Sequence, residues 1–145
     1  MNHPFKREKI CEGVYFSSVT DPKFKHNRIT ANIVTDLDKN QVADNAIVPF
    51  LLRKGCRTCP DFTKLNQKLC DLYGASLSCD ISKFGGYQAL DLSIYGIDDR
   101  FTIGGEQMIA SCTKLLSEIL LDPNVVDGVF GETDLELERQ QLIDT

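Results

Sequence analysis

The chain has 145 residues, of which 42% are hydrophobic and 26% charged, and it carries a net charge of −5. A chain of this length can bury about two-thirds of the surface that its unfolded form exposes, so we expect one domain with its own core. The acidic balance, without a dense basic stripe, disfavours nucleic acid as a partner. No apolar run approaches the ~20 residues that span a bilayer, and the N-terminus lacks a signal-peptide core, which predicts a cytoplasmic protein without a membrane partner.

Hydrophobic periodicity predicts pairs of elements along the chain. The first are strands at 13–20 and 25–37, joined at Asp21–Pro22 into a hairpin, and helices at 40–53 and 60–73, with Gly55 in the place of a left-handed cap. Strands at 76–82 and 87–97, a helix at 105–121, and the start of a fourth helix follow. This order predicts an α+β fold, in which helices pack on one face of an antiparallel β-sheet.

The last segment, "FGETDLELERQQLIDT", has strong helix formers and an acidic first turn, but it stops without a C-cap. Its acidic run is expected to be a solvated helix face. Its apolar residues Leu135, Leu142 and Ile143 would have no following element to pack against. We therefore expect residues 1–145 to form a single domain that is truncated at its C-terminal end.

The cysteines are expected to be free thiols, because a cytoplasmic compartment disfavours disulfides. Cys56 and Cys59 form a Cys-x-x-Cys pair in the loop between two helices. Three interpretations stay open: a thiol redox centre, half of a zinc site, or two unreactive thiols in a loop. The other zinc-ligand candidates are scattered singly: Cys11, Cys70, Cys79, Cys112, His3 and His26. Of these, Cys70, Cys79 and Cys112 lie on apolar faces and are expected in the core.

Three stretches, "DNAIVPFLLRKG", "PDFTKLNQKLCDLYGASLSCDISKFGGYQALDLSI" and "FGETDLELERQQLID", resemble the pitrilysin/insulinase-type zinc peptidases, the inverzincins. In that family a helix bears His-x-x-Glu-His, a short loop ends in Lys-Gly, and a later acidic helix supplies the third zinc ligand. Aligning Lys54–Gly55 on the Lys-Gly pair puts Ala46, Pro49 and Phe50 at the positions of the histidine, glutamate and histidine. Candidates for the third ligand position are Glu132, Glu136 and Glu138.

The resemblance implies an insulinase/mitochondrial-processing-peptidase-like domain without catalytic residues, without zinc, and without enzymatic activity of its own. Such members occur in bacteria beside an intact homologue, so the implied partner is a homologous peptidase subunit, a second copy of the chain, or a peptide. The family binds peptides along a sheet edge, which implies the strand Ser78, Cys79, Asp80, Ile81 and Ser82. Alternatives are an active metallopeptidase, a thiol redox or zinc-binding protein at the cysteine pair, and a self-associating structural module.

Overall fold

The computed structural model describes residues 5–144, so the candidate ligand His3 lies outside the described residues. The strands are β1 (Phe5–Cys11), β2 (Val14–Val19), β3 (His26–Asp36), β4 (Ser76–Phe84) and β5 (Tyr87–Ile97). The α-helices are α1 (Val42–Leu52), α2 (Phe62–Asp71), α3 (Met108–Leu121) and α4 (Glu132–Ile143), and a 3₁₀ turn covers Asp99–Phe101. β1 and β2 form a separate antiparallel hairpin, and the other strands form an antiparallel sheet in the order β3-β5-β4. The predicted α+β fold class is confirmed.

The two faces of the β3-β5-β4 sheet differ in polarity. Ile94 of β5 lies opposite Ile29 of β3 and Leu77 of β4, and these side chains belong to the hydrophobic core. We call this side of the sheet the helix face. Positions one residue along point to the opposite side, which we call the open face, because side chains alternate along a strand. There Ser93 lies opposite Thr30 and Ser78.

The core lies between the helix face and the helices. α1 and α3 both contact β5, and α2 contributes Leu65 and Leu69. The most deeply buried apolar side chains are Cys56, Leu65, Ile94, Met108, Cys112, Leu115 and Ile119. Full burial of one such aliphatic side chain stabilises the fold by about 1.5–3 kcal/mol. The core therefore joins the helix layer to the central strand and fixes the position of α1.

The predicted hairpin between residues 13–20 and 25–37 is wrong. β2 pairs with β1, and β3 pairs with β5, some sixty positions along the chain, from His26–Ile97 to Asp36–Tyr87. The periodicity does not predict β1, because its sequence FKREKIC is dominated by charged residues. A strand pattern reports that a segment is extended, but it does not report which strand it pairs with.

The helices are shorter than predicted and differ in detail. Asp61 is the N-cap of α2 and accepts a hydrogen bond from the backbone N–H of Lys64 at 2.8 Å. Phe62 at the start of α2 is 58% exposed, and Cys70, expected in the core, is exposed as well. No helix within residues 5–144 combines the length and the apolar character needed to cross a membrane.

Gly55 is not in the left-handed conformation expected of a cap, since its φ is not among the positive values. It is required for a different reason. A Cβ at this position would lie 2.5 Å from the backbone oxygen of Cys59, so the chain after α1 passes too close to the cysteine loop for any side chain.

Candidate functional site

Helix α1 carries the positions at which the resemblance places a metal-binding motif. Ala46 and Phe50 are one turn apart and half-buried, and Pro49 is buried. The Phe50 ring stacks under the guanidinium of Arg53, with 5.2 Å between the Arg53 Cζ and the ring centroid. None of these three side chains offers an imidazole nitrogen or a carboxylate, which are the donors that a zinc site of this kind needs. Within residues 5–144, no three His, Cys, Asp or Glu residues converge as a metal site.

The carboxylate of Glu138, on α4, faces the C-terminal end of α1. Its Oε1 lies 2.6 Å from Lys54 Nζ and its Oε2 lies 3.7 Å from an Arg53 guanidinium nitrogen, while the side chain is only 1% exposed. The Lys54 contact is an ion pair without hydrogen-bond geometry, because Oε1 accepts no hydrogen bond. A buried carboxylate requires such cations for compensation. Glu138 therefore joins α4 to the Lys-Gly end of α1, whereas Glu132 and Glu136 are exposed.

The expectation that the acidic helix is a solvated face is wrong for Glu138. The Lys-Gly pair after α1 is the sequence feature that could have predicted the burial of Glu138. A lysine held at the end of a helix is stabilised by an acidic partner. Sequence alone does not give the packing of α4 on α1, which are more than eighty residues apart at this contact.

A cleft of about 440 Å³ opens beside this ion pair. Arg53, Lys54 and Glu138 form its charged side, and apolar residues of α2 together with Leu77 at the start of β4 form the other side. This volume lies in the range of ~300–1,000 Å³ that small-molecule pockets occupy. The cleft is thus adjacent to the strand that the sequence singled out, and it offers both apolar and charged surface.

Cys56 and Cys59 face each other across a tight turn. Their backbones exchange two hydrogen bonds, Cys56 N–H to Cys59 O at 2.9 Å and Cys59 N–H to Cys56 O at 3.0 Å. The loop is fixed to the segment after α3 through Arg57, whose N–H donates to Asp122 O at 3.1 Å and whose side chain pairs with the Asp122 carboxylate at 3.0 Å. The turn therefore connects the first two helices to the last two.

The environment of the pair is that of buried thiols. Burial raises the pKa of the Cys59 thiol above its ordinary value, and the adjacent Cys56 thiol adds to the rise. A redox or nucleophilic cysteine needs the opposite, a lowered pKa that supplies thiolate near neutral pH. Cys56 is fully buried, and the nearby Thr58 hydroxyl donates to Glu118 Oε2 at 2.9 Å. These observations do not favour the redox interpretation of the pair.

Strand β4 holds the predicted peptide-binding residues, Ser78, Cys79, Asp80, Ile81 and Ser82. Within the described chain β4 has β5 on one side and no strand on the other, so it is an edge of the sheet. Cys79 and Ile81 are half-buried on the helix face, while Ser78 and Asp80 are exposed on the open face. The structure thus brings the cleft, α1 and β4 together, but it leaves the Cys56–Cys59 turn in a different contact, with α3. Peptide binding at β4 stays a prediction.

Comparisons with known proteins add a sequence relative and a structural one. The chain is 25% identical, over 141 residues, to the "probable inactive metalloprotease YmfF" of Bacillus subtilis, covering 87% of this chain and 33% of that protein. A crystal structure of a conserved protein from Enterococcus faecalis V583 superposes with a TM-score of 0.89 and 24% identity, covering 95% of this chain and 32% of that one. The two chains share this fold. No family model matches. The chain spans about a third of the length of each of these relatives.

Proposed function

We propose that this chain is a catalytically inactive, zinc-peptidase-like protein of the pitrilysin/insulinase type that binds an extended peptide or a segment of a homologous partner. The observation that carries the proposal is the set of side chains on α1, because Ala46, Pro49 and Phe50 stand where the motif would need two imidazoles and a carboxylate. The distant similarity to a protein named as an inactive metalloprotease supports the loss of catalysis.

Binding rests on β4. An edge strand presents a row of backbone donors and acceptors that an extended segment can pair with, and this mode of recognition requires no metal. The cleft between α2, Leu77 and the Lys54–Glu138 pair lies at one end of the same strand and can accept a side chain of the added segment. A protein that lost its zinc ligands would retain both features.

The catalytic part of the proposal is tested by the zinc content of protein purified without added metal, measured by mass spectrometry, and by hydrolysis of a quenched fluorescent peptide mixture. We expect substoichiometric zinc and no hydrolysis. The matched control is the triple variant Ala46→His, Pro49→Glu, Phe50→His, which rebuilds the motif on one turn of α1 and should retain more zinc. One tightly held zinc per wild-type chain, or zinc-dependent hydrolysis, would overturn the proposal.

The binding part is tested with fluorescein-labelled ten-residue peptides of alternating valine and polar residues, followed by anisotropy. Each peptide is compared with a copy that is N-methylated at alternate backbone nitrogens, which cannot donate to a strand edge. Loss of binding on methylation is the expected result. Equal binding of both forms would show that the side chains alone are recognised and would exclude strand addition.

A further inference from the structure

Asp80 lies at the centre of β4 with its carboxylate next to the free edge of the strand. Its Oδ1 accepts a hydrogen bond from the backbone N–H of the next residue, Ile81, at 2.8 Å. The hydrogen bonds from Leu37 N–H to Gly86 O and from Asp98 N–H to Lys25 O show that the even-numbered residues of β5 bond to β3, so its odd-numbered residues bond to β4. By the β4–β5 register the even-numbered residues of β4 then face β5, and the Ile81 N–H points to the free edge, where an added strand could accept from it. In this structure the Asp80 carboxylate occupies that donor.

Asp80 has no cation beside it among the described residues, in contrast to Asp91 on the adjacent strand. Asp80 lies directly opposite Asp91 of β5. Asp91 accepts a hydrogen bond from the Ser93 hydroxyl at 2.6 Å and lies 3.8 Å from an Arg28 guanidinium nitrogen. Asp80 forms no ion pair with any residue between 5 and 144. Two like charges placed opposite each other on neighbouring strands are unfavourable, and a cation beside Asp80 would relieve the repulsion.

The pattern along β4 fixes what kind of strand would fit beside it. On the open face, Asp80 has Ser78 and Ser82 as its neighbours two residues away, so it is the single charge of that stretch. On the helix face, Leu77, Cys79 and Ile81 are half-buried and leave apolar surface at the edge. An added strand would place its own side chains on the two faces in alternation. Charge complementarity then calls for a basic residue on the open face and apolar residues on the helix face.

We propose that Asp80 controls access to the β4 edge and selects peptide segments that carry a lysine or arginine between apolar residues. The inference rests on the proposed function and specifies its ligand. A basic side chain beside Asp80 attracts the carboxylate and releases the Ile81 N–H, which then donates to a carbonyl of the added strand. When the added segment is neutral, the Ile81 N–H stays bonded to Asp80 and cannot donate to the segment. An acidic segment is in addition repelled by the Asp80 carboxylate.

The test uses ten-residue valine-alternating peptides that differ only in the central residue, which is Lys, Gln or Glu, with anisotropy as the readout. For the wild-type protein we expect the Lys peptide to bind about two- to fivefold more tightly than the Gln peptide, and the Glu peptide to bind most weakly. The preference should shrink between low salt and ~0.5 M salt, since the contact is exposed. Equal affinities of the three peptides for the wild type would overturn the selection while leaving strand addition intact, provided that N-methylation still abolishes binding.

Two variants of one residue separate the charge from the hydrogen bond. Asp80→Asn keeps an oxygen that can accept from Ile81 N–H, so we expect the ranking of the peptides to disappear while affinity stays low. Asp80→Ala removes both the charge and the acceptor, so the ranking should disappear and the Gln peptide should bind more tightly than it does to the wild type. A ranking that survives in both variants would overturn the role of Asp80.

Two further outcomes would overturn the proposal in distinguishable ways. If no peptide binds to the wild type or to either variant, the proposed function fails together with this inference. If Asp80→Ala instead forms dimers in sedimentation velocity while binding no peptide, the edge accepts a second copy of the chain, and the assignment of a peptide ligand is overturned.

Discussion

The sheet covered by helices and the β1–β2 hairpin are both antiparallel, but they differ in how much of their surface is buried. Central strand β5 has buried residues along most of its length, whereas every residue of β1 and all but one of β2 are exposed. The hairpin leaves Phe5, Tyr15 and Phe16 more than half exposed. A two-stranded hairpin alone is at best marginally stable in water. Substitutions in the two regions should therefore have very different consequences, even where the local contacts look alike.

The largest contrast is expected between a core side chain and a hairpin side chain. Ile94 on β5 is fully buried, and Ile94→Ala should lower the free energy of unfolding by about 3–4 kcal/mol in urea titrations, through lost burial and an unfilled cavity. Phe16→Ala, at a position 56% exposed on β2, should change it little. If Ile94→Ala does not fold, Ile94→Val provides the measurement, with about 1 kcal/mol expected. Comparable losses at Ile94 and Phe16 would mean that the hairpin packs as tightly as the sheet does.

The same contrast explains which parts of the fold the sequence can predict. Strand β5 is predicted at 87–97 and observed at Tyr87–Ile97, because Leu90, Leu92 and Ile94 alternate with more polar neighbours after a Gly-Gly turn. β1 has little such pattern, and the partner of β3 is set by long-range packing that no local window contains. The resemblance points to α1 and β4, but it does not predict that Glu138 pairs with Lys54, because these residues meet only through the packing of α4 on α1. The hydrogen bond from Ile81 N–H to Asp80 is local, but whether that N–H is free for it depends on which side of β4 lies at the sheet edge.

Alanine substitutions of two glycines, one in each region, should differ in their cost to stability. A Cβ on Gly55, beside the cysteine loop, would lie 2.5 Å from the Cys59 carbonyl oxygen, so Gly55→Ala must displace backbone in the core. We expect a loss of about 2–3 kcal/mol in thermal or urea unfolding. Gly13, in the hairpin turn, has open space around it but a φ of +76°, so Gly13→Ala should cost only about 1–2 kcal/mol of local strain. A smaller effect at Gly55 than at Gly13 would show that the loop after α1 can relax.

Two lysine–glutamate contacts of equal length test how far burial changes an ion pair. Lys54–Glu138 and Lys9–Glu12 both measure 2.6 Å, but the Glu138 side chain is 1% exposed and the Glu12 side chain 93%. Glu138→Ala should destabilise the fold by about 1–3 kcal/mol, since two partly buried cations lose their partner, and Glu12→Ala should have no measurable effect. Glu138→Gln separates charge from packing and should recover the part due to shape. Equal effects at both sites would mean that Glu138 is solvated in solution.

The smallest expected difference between the two regions is in the reactivity of their thiols. Cys11 in the hairpin is exposed, while burial, with a contribution from Asp99, raises the pKa of the buried Cys112 on α3 above its ordinary value. Iodoacetamide at neutral pH should therefore modify Cys11 long before Cys112, as read by peptide mass spectrometry, because the thiolate is the reacting species.

The free energy of unfolding should decrease with rising pH in the alkaline range. A buried thiol that keeps its proton to higher pH than it does in the unfolded chain leaves stability unchanged below about pH 8.5 and lowers it as pH rises beyond that value. Cys59, Cys79 and Cys112 all have raised pKa values with burial as the main cause, so unfolding free energy should fall in alkaline buffer. Cys112→Ala should reduce this slope, because it removes one thiol whose pKa burial raises. An unchanged slope in Cys112→Ala would mean that folding does not protect this thiol from ionisation.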